Sequence, residues 1–378
     1  MENNHRILIV DDEPYNVDYL EQELDDLGYQ SLSASNGFEA LQVVEDEKPD
    51  LVLLDIMMPG MDGFEVLSRL KDHETNRHIP VIVISAMSDM DSIVRGIELG
   101  AEDYLPKPFD EVLLRARISS ALEKKTLRDL EQSYLRSLEK ELEIGHQIQT
   151  GFLPDHLPER DGWVLNAFFR PAREVAGDFY DVFELPDGKL VVLLGDVADK
   201  GVGSALYMAL YRSLLRSSLS NVMQIDDPVN KLIRAVVHTN DYVCTTHEMA
   251  LFVTLFISIL DPVDGTLTYI NAGHNPPLLL QSSGYKLIPR TGPALGIFEG
   301  QEFEAEQIQL NSGDRLFIYS DGLEDGKNPG GELYTSERLL ESFLQEGATV
   351  EKIIGEIDQF VEDEPQYDDL TLLVLDRI

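Results

Sequence analysis

The sequence is poor in cysteine and in basic residues. Its 378 residues include one cysteine, Cys244, which excludes a framework of disulfide bonds and a zinc site built from thiolates. Only 30 lysines and arginines stand against 69 acidic residues, so the formal net charge is −39. This charge argues against binding to nucleic acid or to an anionic membrane surface. It suits a protein that binds divalent cations or basic partners.

The chain also lacks the segments that direct proteins to a membrane. Its N-terminus has no basic stretch followed by an apolar one, so we expect no signal peptide. No uncharged apolar run approaches the roughly 20 residues of a membrane span. We therefore expect a cytoplasmic protein. A chain of this length with 43% hydrophobic residues predicts two or three domains.

Residues 1–110 alternate short apolar runs with amphipathic helical patterns. The runs at 6–10, 51–55 and 81–85 are continuous and rich in β-branched residues, which is typical of parallel strands covered on both faces. Weaker strands are predicted near 29–34 and 103–106. Five such units predict a doubly wound, flavodoxin-like α/β sheet with its functional site at the carboxyl ends of the strands.

Polar side chains follow several of these predicted strands. They are Asp11 and Asp12 after the first strand, Asp55 after the third, Ser85 after the fourth and Lys107 after the fifth. Singly, each could be a helix cap, a turn residue or a surface charge. Together at one sheet edge, three carboxylates would repel one another, and Mg²⁺ would relieve that repulsion. Asp55 would then be a nucleophile, with the lysine and hydroxyl stabilising an incoming phosphoryl group.

The segments "ILIVDDEP", "LVLLDIMMPGMDGFEV", "VIVISAMSD" and "DYLPKPF" closely resemble the receiver domains of response regulators, over residues 5 to about 122. The resemblance implies that Asp55 is the phospho-acceptor and that a sensor histidine kinase is the partner. The implied Mg²⁺ ligands are Asp11, Asp12, Asp55 and the backbone carbonyl of Met57. The implied phosphate-binding and switch residues are Lys107, Ser85 and Tyr104.

Residues 111–150 differ from what precedes them. They contain no proline, one glycine, seven acidic and seven basic residues. An apolar stripe follows steps of three, four, four and four residues: Leu127, Leu130, Tyr134, Leu138 and Leu142. This period is slightly longer than a heptad, so a left-handed coiled coil is not strongly specified. We predict a helical linker over 123–150 that pairs with a second copy to form a homodimer; the alternative is a lone helix packed on either domain.

From about residue 151 the pattern becomes antiparallel. Strands are followed by tight turns in "ELPDGKL", "LDPVDGTLTYINAG" and "SSGYKL". Helical patterns cover about 204–220, 228–245 and 336–343. This is an α+β arrangement rather than a second parallel sheet. The predicted domains are therefore 1–122, 123–150 and 151–378.

Acidic residues flank several strands of this third region: Asp178, Asp181, Asp196, Asp321, Asp368 and Asp369. Asp196 follows the apolar run 190–194, and burying a carboxylate there is costly unless a cation neutralises it. Histidine pairs with ligand spacing are missing, so the pattern indicates an oxygen-only site that selects Mg²⁺ or Mn²⁺ over zinc. Two such ions sharing a carboxylate can activate water for attack on a phosphoryl group. Asp187 and Asp264 are interpreted as turn residues.

Six ordered segments are similar to the PPM (type 2C) serine/threonine phosphatases of the bacterial SpoIIE and RsbU branch, over about 140–378. They are "LEIGHQIQTGFLP", "GDFYDVF", "GDVADKGVGSALYMA", "NAGHNPPLLL", "SDGLEDGKN" and "DDLTLLVL". The resemblance implies a β-sandwich flanked by helices and a centre of two Mn²⁺ or Mg²⁺ ions. The implied catalytic and metal-binding residues are Asp178, Asp196, Asp321 and Asp368, with the carbonyl of Val197 and, ranked below Asp368, Asp369.

Two positions depart from the pattern of this branch. Ala176 stands where glycine is frequent, and Asp325 stands where glutamate is frequent, but neither change removes an implied ligand. His274 is expected to be a structural hydrogen-bonding residue rather than a ligand.

The sequence as a whole predicts a response regulator whose output is a phosphatase acting on phosphoserine or phosphothreonine in a protein. The family resemblance suggests an anti-sigma-factor antagonist as substrate. The rival hypothesis is a non-catalytic adaptor of the same fold, which could lose its acidic ligands without penalty; here all four implied aspartates are present. A DNA-binding regulator is disfavoured by the net charge of −21 after residue 150.

Overall fold

The computed structural model describes residues 5–86, 90–221, 227–246 and 251–378. The end of the receiver-like segment "VIVISAMSD", residues 87–89, lies outside them. The chain separates into two compact units, Met1–Leu138 and Glu139–Ile378. This division falls inside the segment that the sequence predicts as a linker. Among the described residues, no helix has both the length and the apolar character needed to cross a bilayer.

The N-terminal unit is a parallel sheet covered by helices. Its strands are β1 Arg6–Val10, β2 Gln30–Ala34, β3 Leu51–Asp55, β4 Val81–Ala86 and β5 Asp103–Lys107. Its helices are α1 Pro14–Asp26, α2 Gly37–Glu47, α3 Gly63–Asp72, α4 Met90–Glu98 and the first part of α5 Glu111–Thr150. The strand order is β2-β1-β3-β4-β5, and every pairing is parallel. The predicted flavodoxin-like sheet is confirmed.

The continuous apolar runs form central strands because both faces of the sheet are covered. Alternate side chains of a strand point to opposite faces. Leu8 and Leu54 join a core with α2 and α3, whereas Ile9 and Leu53 join a second core with α1 and α5. All five strands run in the same direction, so their carboxyl ends lie along one edge, which places the polar residues that follow them together.

Helix α5 begins within the N-terminal unit and continues as one helix of 40 residues. Its first turns are buried in the core through Leu114 and Ile118. Further along, basic side chains pair with acids of the sheet: Lys125 with Asp50 at 3.1 Å, and Lys124 and Arg128 with Glu102 at 2.9 and 3.1 Å. The predicted helix is confirmed, and Leu127, Leu130 and Tyr134 of its apolar stripe are 60%, 66% and 64% exposed. Pairing of this stripe with a second copy stays a prediction.

The C-terminal unit contains ten strands in two antiparallel sheets. The strands are β6 Trp163–Arg170, β7 Asp178–Glu184, β8 Leu190–Val197, β9 Val253–Leu260, β10 Thr266–Ala272, β11 Leu278–Gln281, β12 Gly284–Leu287, β13 Glu306–Gln309, β14 Arg315–Tyr319 and β15 Leu370–Arg377. The sheet orders are β13-β10-β9-β8-β7 and β12-β11-β14-β15-β6. The helices are α6 Val202–Asn221, α7 Pro228–Thr246, α8 Thr335–Leu344 and α9 Val350–Val361, with a short 3-10 turn at Asp321–Leu323.

The two sheets pack face to face between two layers of helices. Val192 and Phe256 of one sheet share a core with Ile318 and Leu373 of the other. The outer face of the first sheet packs against α6 and α7, and the outer face of the second packs against α8 and α9. The predicted sandwich flanked by helices is confirmed. Helix α9 was not predicted, although Ile353, Ile354 and Ile357 are spaced for one buried helical face.

Candidate functional sites

In the N-terminal unit, the three predicted acids meet at the carboxyl edge of the sheet. Ligand atoms of Asp11, Asp12 and Asp55 lie within 4.8 Å of one another. Asp11 and Asp55 are buried, with relative exposures of 1% and 4%. Burial raises the pKa of Asp55, and the carboxylates of Asp11 and Asp12 add to that rise. This cluster of oxygens suits a hard divalent cation.

Lys107 completes this cluster from the end of β5. Its ammonium lies 2.9 Å from Asp11 Oδ2 and 3.0 Å from Asp55 Oδ1. Burial opposes its charge, but the hydrogen bonds to these two carboxylates outweigh burial and raise the pKa of Lys107. Asp11 is further held by Asn16, whose Nδ2 donates to it at 3.1 Å. Sequence reasoning did not single out Asn16, although its place in the first turns of α1 could have indicated this contact.

The remaining predicted receiver residues lie on or just after strands of the same sheet. Ser85 lies on β4 and is buried, and its hydroxyl has no hydrogen-bond partner among the described residues. Tyr104 lies on β5, with the guanidinium of Arg117 5.5 Å from its ring centroid. Met57 follows β3 with a side chain that is 79% exposed. A buried hydroxyl without a partner among the described residues is uncommon.

In the C-terminal unit, Asp178 and Asp196 are register partners on β7 and β8. Burial raises the pKa of Asp178, and Asp196 and Asp369 raise it further. The pKa of Asp196 is raised to about 8, first by burial and then by Asp321 and Asp368. The fold therefore brings together carboxylates that are dispersed over about 190 residues of sequence.

A second set of acids completes this region. Asp321 and Asp368 lie with Asp325 in a group whose ligand atoms are within 4.8 Å of one another. Burial raises the pKa of Asp321 to about 6, and Asp368 and Asp325 contribute. Asp325 was considered only as a departure from the family pattern. It is one helical turn beyond Asp321, and its N–H donates to the Asp321 carbonyl at 3.1 Å, so the four-residue spacing could have revealed it.

Asp369 is used differently from its neighbour Asp368. One of its oxygens accepts from Ala172 N–H at 2.8 Å, and the other accepts from Gly177 N–H at 2.8 Å and Asp178 N–H at 3.3 Å. These bonds tie the start of β7 to the start of β15. Three backbone N–H groups occupy the oxygens of Asp369, against one at Asp368, which makes Asp369 the weaker candidate ligand.

Two other polar residues from the sequence analysis lie in structural contacts. Asp181, three residues after Asp178, points to the opposite face of β7 because side chains alternate. It is fully buried and pairs with Arg212 at 3.0 Å and Arg216 at 2.7 Å. His274 is buried, its Nδ1 lies 2.8 Å from Thr254 Oγ1, and burial lowers its pKa to about 3. These contacts agree with a structural role for His274.

Two glycines allow the close backbone approach that forms this site. A Cβ at Gly177 would lie 2.9 Å from the carbonyl oxygen of Val197, and a Cβ at Gly322 would lie 2.0 Å from the carbonyl oxygen of Asp369. Any side chain at either position would displace a segment that carries candidate ligands. A cavity of about 410 Å³ is lined by residues next to these acids in sequence, including Gly322, Gly326 and Tyr367.

Together, the phospho-acceptor-like site on a parallel sheet and the acid-lined β-sandwich define a response regulator with a PP2C-type output domain. The chain belongs to the SpoIIE family: the family model described as Stage II sporulation protein E (SpoIIE) matches residues 186–378. The family model described as response regulator receiver domain matches residues 7–119.

Two curated relatives each match part of this chain. Protein IcfG of Synechocystis sp. is 38% identical over 262 residues, which cover 63% of this chain and 41% of IcfG. Response regulator PleD of Caulobacter vibrioides is 48% identical over 115 residues, which cover 30% of this chain and 25% of PleD. The chain thus spans less than half the length of either relative. The solved SiaA-PP2C domain of Pseudomonas aeruginosa has a TM-score of 0.54 and 19% identity, and covers 65% of this chain and 98% of that domain; this likeness shows the fold alone.

Proposed function

We propose that this protein is a metal-dependent phosphatase for phosphoserine or phosphothreonine in a partner protein, and that phosphorylation of Asp55 controls it. The observation that carries the proposal is the convergence of Asp178, Asp196, Asp321 and Asp368 at one place in the sandwich. Burial and then mutual repulsion raise the pKa of Asp196 to about 8, and this is a cost that a binding module without ions would have no reason to keep.

The donor set fits divalent cations. Carboxylates and backbone carbonyls are the ligands that Mg²⁺ and Mn²⁺ prefer. The residues that would hold two such ions are Asp178, Asp196, Asp321, Asp368 and the carbonyl of Val197, with Asp325 added by its place in the cluster. When bound, Mn²⁺ or Mg²⁺ lowers the pKa of water and draws charge from a phosphoryl group. Asp369 would act as a positioning residue, because one of its three backbone hydrogen bonds is accepted from Asp178 itself.

In the N-terminal unit, Asp55 would act as the nucleophile toward phosphorus. A bond forms between a carboxylate oxygen of Asp55 and the phosphorus atom while the bond from phosphorus to the histidine nitrogen of a sensor kinase breaks. Lys107 is already within 3.0 Å of Asp55 and would neutralise the phosphoryl charge. Ser85 would supply its unpartnered hydroxyl, Tyr104 would be the switch aromatic, and Asp11, Asp12 and the carbonyl of Met57 would hold Mg²⁺.

The proposed partners follow from the family. The substrate would be an anti-sigma-factor antagonist that carries phosphoserine or phosphothreonine. A second copy of the chain would pair along α5, where Leu127, Leu130 and Tyr134 expose apolar surface that is otherwise uncovered in the described residues. The non-catalytic adaptor remains the competing hypothesis, and the complete acid set counts against it.

Phosphate release from phosphoserine and phosphothreonine peptides tests the proposal. We expect release with Mn²⁺, loss of release with excess chelator, and a different rate after treatment with a small phosphodonor. The sign of that difference is an outcome of the measurement. No release with Mn²⁺ from either peptide or from a phosphorylated antagonist protein, with and without phosphodonor, would favour the adaptor.

A further inference from the structure

Lys200 places a positive charge directly on the acid cluster of the C-terminal unit. It lies in the loop between β8 and α6. Its ammonium is 2.8 Å from Asp368 Oδ2 and donates to the carbonyl oxygen of Tyr367 at 2.6 Å. The same ammonium lies 4.0 Å from the centroid of the Tyr367 ring. A carboxylate, a carbonyl and an aromatic face therefore hold this one charge.

With this contact, each carboxylate oxygen of Asp368 has a partner. Its Oδ1 accepts the N–H of Asp369 at 2.9 Å, and its Oδ2 accepts from Lys200. Asp368 also belongs to the group of Asp321, Asp325 and Asp368, whose ligand atoms lie within 4.8 Å of one another. A divalent cation bound by that group would need an oxygen of Asp368, so the ion and the ammonium compete for the same carboxylate.

The charge of Lys200 acts on the other acids of the group as well. Burial raises the pKa of Asp321 and Asp325, and the ammonium of Lys200 works in the opposite direction on both. The ammonium therefore offsets part of the negative charge that a divalent ion would meet at this group.

Lys200 is also free to leave without disturbing the core. Its side chain is 30% exposed, and lysine carries its charge on a flexible four-carbon stem. Its backbone N–H donates to Asp199 Oδ1 at 2.8 Å, which fixes the loop independently of the ammonium. A displaced ammonium would remain within a few ångströms of the acid cluster, where a substrate phosphate bound to metal would lie.

We propose that Lys200 is a tethered cation that competes with a divalent metal ion for Asp368, and that the displaced ammonium then binds the phosphate group of the substrate. The second half rests on the proposed phosphatase function, whereas the first half does not. The cluster thus accepts either the ammonium or the ion. Only when the ion is bound is the ammonium of Lys200 released to bind the phosphate.

The first half is tested by calorimetric titration with Mn²⁺ alone. All proteins carry Asp12→Asn, so that the N-terminal acid cluster contributes little. Loss of a competing, partly exposed charge should tighten Mn²⁺ binding in Lys200→Met by about three- to tenfold, while Lys200→Arg should stay near the parent. The matched control is Lys327→Met, which removes a lysine 5.1 Å from the same Tyr367 ring. Among the described residues, Lys327 forms no salt bridge with an acid, but its charge acts to lower the pKa of Asp325, so its removal should tighten Mn²⁺ binding by less than removal of Lys200 does.

Unchanged or weaker Mn²⁺ binding in Lys200→Met would overturn the competition. Thermal melting checks that each variant is folded, and Lys200→Gln replaces Lys200→Met if the latter is not. An equal gain in Lys327→Met would show a general effect of charge rather than a contact with Asp368, and would also overturn it.

The second half is tested at saturating Mn²⁺ with inorganic phosphate. Lys200→Met should bind phosphate at least about fivefold more weakly, a loss typical of one charge-assisted hydrogen bond. With a phosphopeptide, KM should rise while kcat changes little, because the contact acts on the bound phosphate. Equal phosphate affinity in Lys200→Met and its parent would overturn this half. If the parent releases no phosphate from any phosphopeptide, the proposed function fails, but the Mn²⁺ and phosphate titrations still judge Lys200.

Discussion

Asp178 and Asp196 face each other as register partners on β7 and β8, and burial raises the pKa of both carboxyls. Pairs of apolar side chains on neighbouring strands stabilise a sandwich, so two buried acids at this position reduce the stability of the fold. Asp321 and Asp368 add further repulsion to Asp196. Residues that cost stability in a well-packed fold are kept for another reason, and here the reason we propose is metal binding.

Replacing Asp196 with asparagine should separate activity from stability. Phosphate release at saturating Mn²⁺ should fall at least about a hundredfold, or ~2.7 kcal/mol of barrier. In the presence of a chelator, the melting temperature should stay the same or rise, because the substitution removes a buried acid from a repulsive cluster. The matched control is Asp187→Asn, since Asp187 lies in the exposed β7–β8 turn and pairs there with Lys189, far from the acid cluster in register. Near-normal activity of folded Asp196→Asn would refute its assignment as a ligand.

Asp55 should be the residue that accepts phosphate from a small phosphodonor in the presence of Mg²⁺. Its carboxylate lies beside Lys107 and within the acid cluster, which is the arrangement that a phosphoryl group requires. Mass spectrometry should locate the added phosphate on Asp55 in the wild type and in Asp46→Asn, an exposed acid of α2. Asp55→Asn should remain unmodified, and a fluoride–beryllium mimic should bind only when Asp12 is intact. Phosphate found on another residue, with Asp55 free, would contradict the assignment.

Ser85→Ala should separate signalling from stability in the N-terminal unit. The hydroxyl is buried and has no partner among the described residues, so its removal should leave the free energy of unfolding unchanged or raise it by up to about 1 kcal/mol. The phosphorylated protein should nevertheless show a smaller change in phosphate-release rate, because the phosphoryl group loses a hydrogen-bond donor. Phosphorylation of Asp55 itself serves as the internal control. A clear loss of stability would show that the hydroxyl has a structural partner.

The meeting of the N-terminal acids, hydroxyl and lysine at one edge of the sheet could be predicted from the sequence, while their roles stay predictions. Asp11, Asp55, Ser85 and Lys107 each follow or end a short apolar strand, and parallel strands bring such positions to one edge. In the C-terminal unit the sequence located the acids but not their individual use. Asp368 and Asp369 are adjacent and chemically identical, and only backbone geometry shows that Asp369 accepts three N–H groups.

Two further features were not recognised from the sequence. Asp181 was grouped with the strand-end acids, and its partners Arg212 and Arg216 lie more than thirty residues away on α6. Helix α9 was missed because three acids stand among its apolar positions and the segment follows a loop rich in polar residues. For Asp181 the deciding interaction is tertiary.

The contacts that fix α5 to the N-terminal unit should depend on pH in a defined direction. Burial alone would raise the pKa of Asp50, but the hydrogen bond from Arg6 N–H and the contact with Lys125 outweigh it and lower that pKa below 3.8. A carboxyl with a lowered pKa in the folded state contributes stability above its unfolded pKa and loses it as the pH falls through the folded value. The contribution of Asp50 is therefore complete at pH 7 and should disappear below about pH 4.

The measurement compares unfolding of the wild type with that of Asp50→Asn from pH 7 down to pH 3. The wild type should be more stable at pH 7, and the difference should shrink progressively below about pH 4. Asp46→Asn, which removes an exposed acid of α2, should show no such pH-dependent difference. A difference that stays constant across this range would show that Asp50 acts through packing rather than through its charge.

The continuity of α5 allows a test of how the two units communicate. The helix has 40 residues without a proline, and its stripe Leu127, Leu130 and Tyr134 is exposed. At 3.6 residues per turn, two inserted residues rotate everything downstream by about 200°, whereas seven inserted residues complete almost two turns and nearly restore the phase. An effect that depends on helical phase will distinguish the two insertions, and an effect of length alone will not.

If phosphorylation changes pairing of two copies along this stripe, two residues inserted after Arg128 should uncouple phosphate release from Asp55. Seven residues inserted at the same place should largely preserve the coupling. Phosphorylation of Asp55 and basal phosphate release should persist in both variants, which shows that each unit remains folded. The measurement is phosphate release with and without phosphodonor, together with sedimentation to follow dimerisation. Equal coupling in the two insertions would mean that the helix is a passive tether, and the signal would then have to pass through direct contact between the units.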